Sequence, residues 1–296
     1  VVDTDIILNP ELLELGKYIA SITLSTLISS YQVMLPKALK AKNGVTVSKK
    51  MNAYLVLNNS NIEVTNPKQK EIIDLIQKKG KVLKKEASLI STSSVKTLLK
   101  NNILKEIQEE VYRMNHEDTV TKKYPLTPLQ QEAVSKVLDK KNTDTVFLIH
   151  GVTGSGKTEV YMEIIEKLLL EEKESIVLVP EISLTEQIVS RFQKRFSNNI
   201  AILHSRLSDG EKYDEWRRIA RGEVKIVIGA RSAIFAPLKN IGVIIIDEEH
   251  TDSYKQDSCN PKYHALDIAK WRSNYHKCPV VLGSATPTLE TYARAK

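Results

Sequence analysis

Apolar residues change their spacing more than once along this 296-residue chain. In the first forty residues they recur at helical intervals. "ELLELGKYIASITLS" gathers leucines and isoleucines on one face, and "SYQVMLPKALK" reads as a second short helix that Pro36 ends or kinks. A turn at Asn43-Gly44 precedes "NAYLVLNN", a predicted strand bounded by Asn58 and Asn59. "PKQKEIIDLIQKKG" returns to helical spacing, with Ile72, Ile73, Leu75 and Ile76 on a face that closes at Gly80. "VLKKEASLI" and "SVKTLLKNNIL" predict two more short helices, the latter capped from Ser91–Ser94, and "KEIQEEVYRM" predicts a strand. Beyond the polar "NHEDTVTKKYP", apolar runs alternate with amphipathic stretches. Strands are predicted at 145–149, 175–179, 199–203, 224–228, 243–246 and 279–282, and helices at 158–170 and 184–196. Short β-rich runs separated by helices predict an α/β fold with a parallel sheet covered on both faces.

Three helices and a strand within about fifty residues outline a winged helix, a helix-turn-helix variant; a small helical bundle with a lysine-covered wet face shares that outline. Charge adds to the picture here. The chain carries a net +7, and residues 66–105 hold ten lysines, no arginine and three acids. Such a stretch suits an anionic partner or a solvated face. Composition is otherwise that of a globular protein, 42% hydrophobic and 27% charged, with length for two or three domains. No run reaches the roughly 18–20 apolar residues of a membrane span. The first residues have no basic segment of a signal peptide and no initiator Met, so a fragment is expected. Cys259 and Cys278 stand apart in no paired motif, which argues against a disulfide or zinc site and for a reducing compartment.

The chemistry concentrates after residue 125. "FLIHGVTGSGKTEVY" places Gly151, Gly154, Gly156, Lys157 and Thr158 in the G-x-x-x-x-G-K-[ST] spacing, between a predicted strand and helix. Glycines let the backbone, including Val152, Thr153 and Ser155, wrap a polyphosphate with its amides, and the helix N-terminus favours the anion. Lys157 is positioned for the β and γ phosphates, and the Thr158 hydroxyl for Mg²⁺. "VIIIDEEH" ends an apolar strand in acids, at the edge where ligands bind in such sheets. Asp247 is the candidate second holder of Mg²⁺ and Glu248 the candidate base for an attacking water. "VVLGSATPTLE" ends another strand in small hydroxyl residues. Ser284 and Thr286 can bond the Asp-Glu carboxylates and relay the phosphate state, or simply cap the next helix.

Phosphate loop, "DEEH" and "GSATP", in this order, resemble the first motor lobe of a superfamily 2 helicase; kinases and small GTPases do not carry this set. With "VLVPEISLTEQ", "GARSAIFAP", "DEEHTDSYKQ" and "PKYHALDIA", nearly all of 125–296 resembles the bacterial replication-restart helicases of that superfamily. The resemblance implies a RecA-like lobe at 116–296, a winged-helix DNA-binding domain at 65–115, a linker with a strand at 45–64, and at 1–44 the tail of a DNA-binding domain that captures a 3′ end. It implies ATP and Mg²⁺ as cofactors and Gln130 of "LTPLQQ" on the adenine edge, alongside a helix cap by Thr127. It implies DNA contacts from Arg231 and Lys255, base stacking by Tyr254 and Tyr263, and phosphate contacts from Lys96 and Lys100. Trp216 and Trp271 read as helix anchors instead.

The same resemblance implies 3′→5′ unwinding at forks and D-loops, and forked and single-stranded DNA as partners. Single-strand-binding protein and primosome or helicase-loading proteins are the implied protein partners. A bacterial cytoplasmic monomer follows from the same source. A second lobe with an arginine finger and a cysteine-bound zinc lies outside this chain, so half a nucleotide site, slow hydrolysis and no unwinding are expected. A branch-migrating translocase, an RNA helicase and a DNA-binding module with an ATP switch share parts of this pattern.

Overall fold

The computed structural model describes residues 7–40, 47–58, 64–114, 124–184 and 186–296. The expected turn at Asn43-Gly44 and most of the polar linker after Met114 lie outside them. The described chain divides into two compact units, 48–113 and the remainder.

The chain begins in the larger unit with α1 (Pro10–Thr23) and α2 (Leu27–Met34). Asn9 caps α1 by accepting from the Leu12 amide, and Pro10 occupies its first turn, where no amide partner is lost. The smaller unit follows: β1 (Met51–Leu57), α3 (Pro67–Lys79), β2 (Val82–Leu83), α4 (Lys84–Lys100) and β3 (Leu104–Glu110). β1 lies between β2 and β3, antiparallel to both. The helices bury Ile72, Ile73, Ile76, Ala87, Val95 and Leu98 on Leu55, Val82 and Leu104. α4 breaks at Ser91, whose extended backbone splits it into the two expected helices. The strand assigned to a linker is thus the centre of this unit's sheet. The compact unit runs from 48 to 113 rather than from 65 to 115, because β3 needs β1 as its hydrogen-bonding neighbour.

The larger unit resumes with α5 (Pro128–Leu138), β4 (Val146–His150), α6 (Lys157–Leu169), β5 (Glu174–Leu178), α7 (Glu186–Phe196), β6 (Ile200–Leu203), α8 (Asp209–Arg221), β7 (Ile226–Gly229), β8 (Ile241–Ile246), α9 (Ala265–His276), β9 (Val280–Ser284) and α10 (Leu289–Ala295). Its six strands are parallel in the order β4-β9-β8-β5-β7-β6. Alternate strand residues face opposite ways. Val177, Ile202, Ile228, Val243, Ile245 and Val281 meet α5, α6 and α7, while Ile176, Leu178, Val227, Ile244, Val280 and Leu282 meet α1, α8 and α9. Burial on both faces explains why these strands read as continuous apolar runs.

The first helices are not a separate remnant. Leu12, Leu15 and Ile19 of α1 are fully buried in the larger unit's core, because the apolar stripe of α1 finds its complement beside α9. Trp216 is buried and its indole donates to the Ile7 carbonyl, and Trp271 stacks between Tyr18 and Tyr275, so both tryptophans are anchors. Among the described residues no helix is long and apolar enough to cross a membrane.

Candidate nucleotide site

The phosphate loop joins β4 to α6 at the carboxyl edge of the sheet. Gly154 and Gly156 both sit at φ +83°, a left-handed conformation that side chains rarely adopt. No side chain caps α6, so its first amides stay available to an anion. Lys157 is buried and folds back to donate to the Gly151 carbonyl at 2.8 Å. The Gly151 amide in turn donates to Ser284 O, tying the loop to the end of β9. Thr158 is half-buried on the first turn. Beside the loop a cavity of about 490 Å³ opens between α5 and β4, lined in part by Leu129, Gln130, Phe147 and His150. That is within the range of small-ligand sites.

β8 delivers the acids to the same edge. Glu248 stands between two basic side chains, with Oε1 3.7 Å from Lys157 Nζ and Oε2 3.7 Å from His250 Nδ1. Its backbone is left-handed at φ +47°, a strained state that turns the chain sharply after the strand. Asp247 accepts from the Tyr161 hydroxyl at 2.9 Å. Burial lifts the Asp247 carboxyl above the usual carboxylate range, with Glu248 adding to the rise and Tyr161 and Lys157 opposing it. Burial first, then Asp247, pushes the Tyr161 phenol well above its ordinary value, so this hydroxyl stays protonated and donating. Gly283 is what lets the two meet: a Cβ there would lie 1.5 Å from the Tyr161 oxygen. Nothing in the sequence marks Tyr161, one aromatic in an amphipathic helix. Only the fold brings it to Asp247.

Ser284 is fully buried, and its Oγ lies 2.8 Å from His250 Nδ1 and accepts from the Thr286 amide. The expected bond from Ser284 to the carboxylates is therefore replaced by one to His250, which stands between Ser284 and Glu248. Glu249 is a further residue the motif did not single out. It is buried, and its carboxylate accepts from Thr288 N and Thr291 Oγ1. Gln130 takes part in the expected helix cap. Its Oε1 accepts from Thr127 N in a capping box and its Nε2 donates to Ser155 O, so the amide clamps the loop.

The two tyrosines expected to stack on bases are core residues. Tyr254 is 1% exposed and donates to Leu178 O and Asp247 O; Tyr263 is 5% exposed and packs edge-on against Phe235. Burial pushes the Tyr263 phenol up to about 12 against the pull of Arg231. Neither ring has a face to offer. Arg231 is tied into the same segment, donating to the Lys255 and Ser253 carbonyls and to Gln256 Oε1. Lys255 is exposed and 3.1 Å from Asp257. In the smaller unit Lys96 and Lys100 are exposed on the second half of α4. Three other lysines there are matched: Lys81 and Lys84 pair with Glu109 and Glu106 of β3, and Lys79 with Glu86.

An uncapped helix start, a left-handed glycine cradle, a buried lysine and two adjacent carboxylates fit a polyphosphate with a divalent cation. Fold and site together define a phosphate-loop nucleotide-binding lobe. The DEAD/DEAH box helicase signature matches residues 127–295, and the chain belongs to that family. Its curated relatives include Replication restart protein PriA of Bacillus subtilis, 57% identical over 70% of this chain and 26% of that protein. The namesake from Chlamydia pneumoniae is 36% identical over 99% of this chain and 41% of its own length. The chain thus spans well under half of these relatives. Among solved structures, RecG bound to a three-way DNA junction overlaps 58% of this chain and 22% of its own at 23% identity, with a TM-score of 0.42.

Proposed function

We propose that this chain is the nucleotide-hydrolysing lobe of a replication-restart DNA helicase, driving 3′→5′ translocation at forks and D-loops. The carrying observation is Glu248 held between Lys157 and His250 beside the open N-terminus of α6. The loop amides of 151–156 and Lys157 hold the polyphosphate, for which Lys157 leaves the Gly151 carbonyl. Thr158 and Asp247 hold the divalent cation, with Tyr161 fixing the Asp247 rotamer. ATP with Mg²⁺ supplies the phosphoanhydride whose cleavage is coupled to movement. Glu248 orients the attacking water and takes its proton, and His250 passes the change to Ser284 at the end of β9. The adenine lies in the cavity beside Gln130, whose amide exchanges its loop contact for the base edge.

DNA is held by phosphate contacts from Lys255, Lys96 and Lys100, with Arg231 shaping the segment that presents Lys255. The smaller unit is a winged helix that brings the fork to the motor. The protein works in the bacterial cytoplasm as a monomer, with single-strand-binding and primosome or helicase-loading proteins as partners. Both the relatives' name and the family signature support this reading. Steady-state ATP hydrolysis with and without forked DNA tests it. Slow turnover that forked DNA raises and Lys157→Ala abolishes is expected. Stimulation by RNA in preference to forked DNA, or turnover that survives Lys157→Ala, would sink it.

A further inference from the structure

Two helices of the larger unit begin with a self-contained capping box. In α5, Thr127 accepts from the Gln130 amide while the Gln130 side chain returns to the Thr127 amide; in α8, Ser208 and Glu211 do the same. Helix α10 has only half of this device. Thr288 accepts from the Thr291 amide at 3.2 Å, but the residue at the returning position is Thr291, whose side chain is too short to reach back. The missing carboxylate comes from elsewhere. Glu249 Oε1 accepts from the Thr288 amide at 2.9 Å, and its Oε2 accepts from the Thr291 hydroxyl at 3.2 Å, across about forty residues of chain. The Thr291 hydroxyl also accepts from that of Thr288, so one amide and one hydroxyl close on a buried acid and a second hydroxyl supports them.

Glu249 is fixed at its other end as well. Its amide donates to the Gly283 carbonyl on β9. Immediately before it stands Glu248, at φ +47°. A strained residue keeps its conformation only where its surroundings hold it. The residue that follows Glu248 is held through backbone by β9 and through side chain by α10. A shift of the first turn of α10 therefore acts on Glu249, and through one peptide bond on the carboxylate 3.7 Å from Lys157.

We propose that Glu249 is a positioning residue that completes the α10 capping box and makes the start of α10 a mechanical extension of the nucleotide site. α10 exposes Leu289, while Tyr292 packs edge-on against His150 at the end of β4, so the helix has surface through which such a shift is delivered or reported. This inference rests on the nucleotide reading of the site. It adds a specific path: loop and Lys157 to Glu248, Glu249, Thr288 and then α10.

Hydrogen exchange on this chain, with and without Mg·ATP, tests the path without relying on turnover. In the wild type, nucleotide is expected to change exchange at the first-turn amides of α10 at least threefold. In Glu249→Ala that response is lost, while the Kd for a fluorescent ATP analogue stays within about threefold of wild type. Glu249→Gln keeps an acceptor oxygen for the Thr288 amide and recovers most of the response; Thr291→Val, which removes one of the two contacts, gives an intermediate one. An undiminished α10 response in Glu249→Ala overturns the proposal. So does a loss of nucleotide affinity and thermal midpoint that Glu249→Gln fails to rescue, because Glu249 would then be structural. Failure of the wild type to bind nucleotide removes the reading of the site itself, and the path with it.

Discussion

Glu11 and Arg272 form a two-pronged ion pair inside the larger unit, with both residues buried and 261 positions apart in the chain. Arg272 Nε donates to Glu11 Oε1 at 2.6 Å and its Nη2 to Oε2 at 2.8 Å. The remaining Nη1 donates to the Ile234 and Ala236 carbonyls. One guanidinium thus joins α1, α9 and the turn that follows Arg231. Removing one member of a buried pair costs about 3–5 kcal/mol, because the other is left charged in the core. Glu11→Gln is predicted to lower the thermal midpoint by roughly 6–20 °C for a unit of this size. Glu11→Leu with Arg272→Met is predicted to be milder than Glu11→Gln. Circular dichroism melts of the two variants measure both effects. An unchanged midpoint in Glu11→Gln would mean that α1 is not part of this core.

The same pair sets an acid limit. Burial alone would raise the Glu11 carboxyl, but the charge of Arg272, the His276 imidazole 3.1 Å away and the hydrogen bonds from Arg272 outweigh it and hold the pKa at about 2. The unfolded chain takes up that proton near the ordinary value of 4.5, before the folded one does. The stabilisation is therefore complete above about pH 4.5 and is lost as pH falls toward 2, a contribution of roughly 3 kcal/mol at neutral pH. Urea unfolding between pH 6 and pH 3 is predicted to show a steeper loss in wild type than in Glu11→Gln. Parallel curves would contradict the assignment.

Tyr161 and Gly283 are predicted to behave as a unit. Gly283→Ala drives a methyl group into the phenol and is expected to cost about 3 kcal/mol. Tyr161→Phe alone, which removes the bond to Asp247, costs about 1–2 kcal/mol and slows hydrolysis about tenfold with little change in nucleotide Kd. The double variant recovers part of the Gly283→Ala loss because the clashing oxygen is gone. Strict additivity in denaturant unfolding would count against the contact.

Burial separates the residues of the 253–264 segment. Tyr263→Ala is predicted to destabilise the protein by about 3–5 kcal/mol, since it empties a packed site beside Phe235. Lys255→Ala leaves stability within about 0.5 kcal/mol and weakens DNA binding with a shallower salt dependence. Fluorescence anisotropy with single-stranded DNA at two salt concentrations checks the second. Loss of DNA binding in a well-folded Tyr263→Ala protein would restore the stacking role.

The parallel sheet and the phosphate loop were legible because both are local signals. Apolar runs between helices marked the strands, and the glycine spacing of 151–156 admits few other conformations. What the pattern could not carry was pairing across the chain. β1 looks like a linker strand until β3 is placed beside it. The tyrosines at 254 and 263 look exposed in a polar segment, yet the fold turns both inward, one onto the Leu178 and Asp247 carbonyls. Glu11 lies in no motif, and Tyr161 and Glu249 lie in motifs that give them no role. Each matters because of a residue at least 39 positions away.

Glu248 is proposed to activate water at a site where Lys157 and the loop hold ATP. Single-turnover hydrolysis of Mg·ATP by wild type and Glu248→Gln, measured with nucleotide Kd on the same samples, tests it most directly. A rate lower by at least about 10²-fold is expected in Glu248→Gln, with Kd changed no more than about threefold. Equal rates in the two proteins, or a variant that loses nucleotide binding and hydrolysis together, would contradict it.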